Sequence, residues 1–258
     1  MVFFCRKHFT LLISIAALVM AAHVFTGQAA WAVASGDGKT PLKFVIGDFP
    51  RVQQLPNYCG PASLSTVLRY WGKDDQNQEA IGKHVYDSKI SATNGADLLV
   101  YARNIGFSAY SFNGTISNIK QLLWQGLPII VLQNTSKSDS SGHFRVVIGY
   151  DEEADSMFIF DSYQPDQEKI SCKEFASLWS ARGNWGLLVI PTQKDTFAKQ
   201  MNDRNPVVHL DLAQAYYRKA LLDEADREIR TALKLEPGNP DAQELLNRIQ
   251  NTRGATGK

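Results

Sequence analysis

A chain of 258 residues with 44% apolar and 21% charged content is an ordinary globular protein, long enough for one good-sized domain and a small extra module. Its 27 basic and 26 acidic residues leave a formal net charge of +1. With no basic run, the chain gives no reason to expect nucleic acid as a partner.

At the start, Arg6, Lys7 and His8 precede an apolar run over 9–25, followed by the small residues of Ala32-Val33-Ala34. This pattern predicts a secretory signal peptide over 1–34, cut after Ala34 with Ala30 as a second site. An apolar run of about 17 residues also sits at the lower edge of a spanning helix, so an uncleaved membrane anchor is the alternative. Either way the expected location is extracytoplasmic: periplasmic, or tethered to the inner membrane if the segment stays. Residues 35–41 read as a flexible lead and 43–46 as a short strand.

From residue 59 the apolar Ala62, Leu64, Val67, Leu68 and Trp71 recur at helical spacing, and Gly72 ends the run. Further helices are expected over 77–86, 96–105 and 115–125, the last capped by Thr115 or Ser117. The period then changes. Stretches 127–132, 144–150 and 157–160 read as strands, the last two joined as a hairpin by the acidic turn Asp151-Glu152-Glu153-Ala154-Asp155. A helix over 173–181 and a strand over 185–190 complete an α+β unit with its first helix packed on the sheet.

A polar linker is expected over 192–205, and helix over 207–250 broken at Pro237-Gly238-Asn239-Pro240. In a 34-residue register counted from Pro206, Leu212, Ala213, Tyr216, Ala220, Ala225, Ile229, Ala232 and Pro237 fit a tetratricopeptide repeat, with His209 at the usual tryptophan. Residues 206–250 therefore read as one repeat plus a covering helix. One repeat is too few to stand alone, so it is expected to pack on the main domain or on a protein partner.

Three cysteines are present, and Cys5 lies in the segment expected to be removed. Two remaining cysteines in an exported chain, Cys59 and Cys172, invite a disulfide as the plain reading. Cys59, however, stands where a helix begins, and unpaired N–H groups and the helix dipole favour a thiolate there. Gly60 allows a substrate close to the backbone, and Pro61 suits a first helical turn. A nucleophile needs a base. His8 and His23 belong to the export segment, His209 to a packing position and His84 to a helix surface, which leaves His143 at the head of a strand. Antiparallel pairing brings the start of that strand beside the end of the next, where Asp161 can orient the imidazole. The Cys59 N–H and an upstream glutamine can hold the oxyanion; Gln54 is preferred, with Gln53 the alternative.

The Gln53-Gln54 loop, Tyr58-Cys59-Gly60-Pro61-Ala62-Ser63-Leu64, Gly142-His143-Phe144 and Phe160-Asp161 together resemble the bacteriocin-leader-processing (double-glycine) cysteine peptidases over about residues 43–191. The resemblance implies a papain-like fold, a Cys-His-Asp triad and a glutamine-assisted oxyanion hole. Members that join an export signal, this domain and a C-terminal tetratricopeptide segment are similar to the whole chain. Two departures stand out. Asp161-Ser162 replaces the usual Asp-Pro, and no transporter domain follows, so leader removal coupled to export is not implied.

The expected activity is thus hydrolysis of a peptide or protein through an acyl-enzyme on Cys59. Two other readings remain: a phytochelatin-synthase-like acyl transferase, and a catalytically silent peptide-binding scaffold built on the helix repeat. No Cys-x-x-Cys or His-x3-His spacing and no glycine-rich phosphate loop occurs, so neither metal nor ATP nor another cofactor is expected.

Overall fold

The computed structural model describes residues 40–164 and 167–256; the expected signal peptide or anchor lies outside them. Strand β1 (Lys43–Val45) leads through a loop to helix α1 (Cys59–Tyr70), whose end is marked by Gly72 at φ +80°. Helix α2 (Gln78–Val85) starts where the Asn77 side chain accepts the Ala80 N–H. A small hairpin, β2 (Tyr86–Asp87) and β3 (Ala92–Thr93), precedes α3 (Gly95–Asn104). After β4 (Phe107–Asn113) comes α4 (Ile116–Trp124), opened by a reciprocal capping box between Thr115 and Asn118. Strands β5 (Ile129–Asn134), β6 (Gly142–Asp151), β7 (Ser156–Phe160) and β8 (Gln167–Ser171) follow, then α5 (Cys172–Ser180) and β9 (Trp185–Pro191).

Strands β4 to β9 form one antiparallel sheet in the order β4-β9-β5-β6-β7-β8, apart from the β2–β3 hairpin. On the edge of β6 that β5 leaves uncovered, β1 pairs with residues 149–151. Gly149 makes that possible, because a Cβ there would come within 2.6 Å of the Phe44 carbonyl. Helix α1 lies against β6, its Leu64, Val67 and Leu68 sealed in the core. Helices packed on an antiparallel sheet make the α+β papain-like architecture expected, and strands β2, β3, β4 and β8 are additions to that expectation.

The stretch 192–205, expected as a linker, is ordered differently. It carries a short 3-10 turn (Thr192–Lys194) and helix α6 (Ala198–Asp203), and its Phe197 and Met201 are buried in the main core. Two apolar residues in a polar stretch are enough to tie it down. Helices α7 (Pro206–Arg218), α8 (Leu222–Leu235) and α9 (Pro240–Thr256) then form the helical C-terminal segment. A second break, at Lys219–Leu221 with Ala220 at φ +57°, adds to the expected one, which lies between Leu235 and Pro240. Helix α7 serves two cores. Val208, Leu212 and Ala215, spaced along one face, join the main core, whereas Ala213 joins α8 and α9 through Ala225, Ile229, Ala232, Ala242 and Ile249.

Candidate active site

Cys59 is the first residue of α1, and no side chain caps that helix. First-turn N–H groups are therefore available to the sulfur. Gly60 packs so tightly that a Cβ would come within 2.9 Å of Thr93 Cβ and 3.3 Å of the Phe144 ring. Burial pushes the Cys59 thiol up. A hydrogen bond to His143, the charge of that ring, and the N–H groups of Phe144 and Gly60 outweigh it, leaving the thiol below its ordinary value.

His143 opens the buried part of β6, opposite Gln133 of β5, and is only 2% exposed. Its Nε2 lies 2.8 Å from Asp161 Oδ1, which leaves Nδ1 for the hydrogen bond with Cys59. One face of the ring is stacked on exposed Tyr163, at 4.9 Å between centroids and 20° between planes. Burial alone would lower the imidazole's affinity for its proton. The bonds to Asp161 and Cys59 prevail and raise its pKa above the usual histidine value. A lowered thiol beside a raised imidazole is the signature of a thiolate–imidazolium pair.

Asp161 directly follows β7 and is 4% exposed. The last hairpin pair is Val146 with Phe160, so the next step along sets Asp161 opposite Arg145 and diagonal to His143. Both are engaged. Oδ1 accepts from His143 Nε2 and from the Tyr163 N–H at 2.9 Å, while Oδ2 accepts from Arg145 Nε at 2.8 Å. Burial raises the carboxyl pKa, but these bonds and the charges of His143 and Arg145 bring it down to about 2.

Arg145 went unnoticed in the sequence. Its remaining guanidinium N–H groups reach the Asn134 carbonyl at 3.2 Å, the Thr135 carbonyl at 2.9 Å and Gln133 Oε1 at 3.4 Å. The signal available was strand alternation: positions 143 and 145 share a face, and a buried arginine there requires a carboxylate.

The two glutamines part company here. The Gln53 side chain is exposed, and its carbonyl accepts from Gln78 Nε2 at 2.8 Å. Gln78 Oε1 in turn accepts the Leu55 N–H at 2.8 Å, so Gln78 clamps the backbone on both sides of Gln54. Gln54 N–H donates to the Ser162 carbonyl at 3.0 Å, and Ser162 Oγ donates to Gln54 Oε1 at 2.6 Å. Gln54 Nε2 is buried and has no hydrogen-bond partner among the described residues. Gln54 is thus tied through Ser162 to the segment that carries Asp161, whereas the Gln53 side chain is exposed.

Other expected residues lie apart. His84 rests near the Tyr101 ring, and His209 bridges Glu228 Oε2 and the Asn202 carbonyl, each at 2.7 Å. Both cysteines are free, which overturns the disulfide reading. The Cys172 N–H bonds the Asp155 carbonyl at the turn end of the β6–β7 hairpin, the opposite end from Asp161. There burial, then Asp155, pushes its thiol up to about 11.

Residues 46–187 match the model of the peptidase C39-like family. No curated protein matches the chain. Among solved structures it is similar to the peptidase domain of Streptococcus ComA, a bifunctional ABC transporter of a quorum-sensing pathway. Identity is 22% and the TM-score 0.45, over 56% of this chain and 99% of that one. The peptidase domain of Streptococcus mutans ComA is similar at 16% identity and TM-score 0.38, over 55% and 99%. The same domain with a small-molecule inhibitor gives 19% and 0.38, over 55% and 100%. With more than half of its length covered by that family model, the chain belongs to the peptidase C39-like family and is a cysteine peptidase.

Proposed function

We propose that the protein hydrolyses peptide bonds outside the cytoplasm through a covalent acyl-enzyme on Cys59. The observation that carries this is the continuous hydrogen-bonded line from Cys59 through His143 to Asp161, with the far carboxylate oxygen taken by Arg145. The thiolate attacks the scissile carbonyl carbon, and the carbonyl π electrons move to oxygen. Gln54 Nε2 and the Cys59 N–H donate to that oxyanion. As the intermediate collapses, the C–N bond breaks and His143 Nδ1 passes its proton to the leaving amine. Water, deprotonated by the now neutral His143, attacks the thioester; the proton returns and the thiolate is freed with its carboxylic acid product. Asp161 keeps Nε2 protonated and balances the imidazolium, staying ionised throughout because its carboxyl is held near 2.

Extracytoplasmic action rests on the basic start, the apolar run over 9–25 and the small residues before 35. The helical segment after residue 205 serves in this reading as a tetratricopeptide-like unit that recruits the protein partner or substrate. Profiling the purified protein against a peptide library, with Cys59→Ala as control, tests hydrolysis. Cleavage that falls at least about 1,000-fold in the variant supports it; cleavage unchanged by the substitution refutes it.

A further inference from the structure

We infer that Ser162 is a positioning residue that holds the Gln54 amide in register for the oxyanion, an assignment that rests on the oxyanion role of Gln54. A glutamine side chain has three rotatable bonds and two chemically opposite ends. To stabilise an oxyanion it must present Nε2, not Oε1, at a fixed point. Three anchors act on Gln54. Gln78 clamps the flanking backbone with bonds of 2.8 Å to the Gln53 carbonyl and the Leu55 N–H. The Gln54 N–H bonds the Ser162 carbonyl at 3.0 Å. The third anchor holds the amide itself: Ser162 Oγ donates to Oε1 at 2.6 Å.

Ser162 is fully buried, so water cannot replace its hydroxyl. With Oε1 bonded to Ser162, Nε2 is left as a buried donor with no partner among the described residues, a costly state in a resting fold. Negative charge developing at the site selects this orientation over its flip, because the flipped amide would present oxygen to oxygen. The anchor is covalently adjacent to Asp161, so one short segment carries both the acid that steadies His143 and the hydroxyl that steadies Gln54. The donor is thereby set in place before the transition state forms, and no side-chain freedom is lost at that moment.

The test compares two reactions of the full-length protein at one pH. Acylation by p-nitrophenyl acetate develops an oxyanion, whereas alkylation of Cys59 by iodoacetamide does not, and Cys59→Ala supplies the blank for both. Ser162→Ala is expected to lower kcat for the ester about tenfold, the worth of one hydrogen bond. KM and the alkylation rate stay within about twofold. Ser162→Thr keeps the hydroxyl and restores most of kcat. In a Gln54→Ala background Ser162→Ala costs nothing further. Should alanine not fold, Ser162→Cys, of similar volume and a weak donor, gives the same split between the two reactions.

Two outcomes overturn the role of Ser162 while leaving Gln54 its own: alkylation falling in step with acylation, or an undiminished cost of Ser162→Ala without Gln54. Full ester turnover by Gln54→Ala removes the oxyanion assignment itself, and the role of Ser162 with it.

Discussion

Asp161 is the residue on which the charges of the site converge. Its folded pKa of about 2 lies below the ordinary carboxylate value of roughly 3.9. A depressed carboxylate contributes stability above its unfolded pKa and loses it as pH falls through the folded one. Wild-type protein should therefore lose on the order of 2 kcal/mol between about pH 4 and pH 2 that Asp161→Asn does not lose; denaturant unfolding across that range measures it. For Cys59 and His143 the signs oppose. The thiol is lowered, so Cys59 alkylation should persist below the ordinary thiol range, and His143→Ala should shift that titration upward by removing the bond and charge that hold it down. Activity should fall on the alkaline side as His143, whose pKa is raised, loses its proton.

Arg145 belongs to the same network and was invisible to the reasoning that found the acid. The opposite strand partner of Asp161 is Arg145, whose guanidinium fork also meets two carbonyls and Gln133. Arg145→Ala should cost about 3–5 kcal/mol by stranding a buried carboxylate. Arg145→Lys should not recover it, because an ammonium cannot span those acceptors. Thermal unfolding of the two variants distinguishes a fork from a point charge. Gln54 was preferred to Gln53 on sequence, but the bonds around it, from Gln78 and Ser162, come from residues distant in the chain and could not be read there.

At the scale of elements, helices and strands with a clean period could be read directly: α1 from its apolar spacing, the β6–β7 hairpin from two apolar runs around an acidic turn. The missed strands lacked that signal for two different reasons. In β4, Ser108 and Ser111 interrupt the apolar pattern although Ser111 is fully buried, because α3 and α7 pack against that strand. Strand β8, Gln-Glu-Lys-Ile-Ser, is an edge strand paired only with β7 and has little apolar content to reveal it. The attachment of β1 was also hidden, since it depends on Gly149 accepting the close passage of Phe44 and Val45. Gly149→Ala should push β1 from β6 and destabilise the fold by about 1–3 kcal/mol, as overpacking does elsewhere. Urea unfolding reads the loss, and a midpoint unchanged from wild type would show that β1 contributes nothing.

On the scale of the whole molecule, the catalytic domain and the C-terminal helices are not joined by a tether. Besides the face of α7 that enters the main core, polar links cross the junction: Trp185 Nε1 to Asp211 Oδ2 at 2.8 Å, Asn205 Nδ2 to the Ser111 carbonyl at 2.7 Å, and Arg218 to Asp97 at 3.1 Å. Trp185 in turn lies edge-on to Phe144, the neighbour of His143, at 5.9 Å between centroids. Truncation after Pro191 should expose the apolar surface that α7 covers and give a protein with a markedly lower melting temperature. Calorimetry of the two lengths decides this, and equal melting temperatures would mean that α7 is dispensable.

Because α7 contributes to both cores, the C-terminal helices are packed onto the catalytic domain rather than strung from it. A polypeptide gripped by α8 or α9 would then be measured rather than merely held. At about 3.3 Å per extended residue, the bond that reaches Cys59 would be set by the count of residues from the grip. Such an enzyme would act as a gauge of distance along its substrate, and inserting residues between grip and cut would move the cut by the same number.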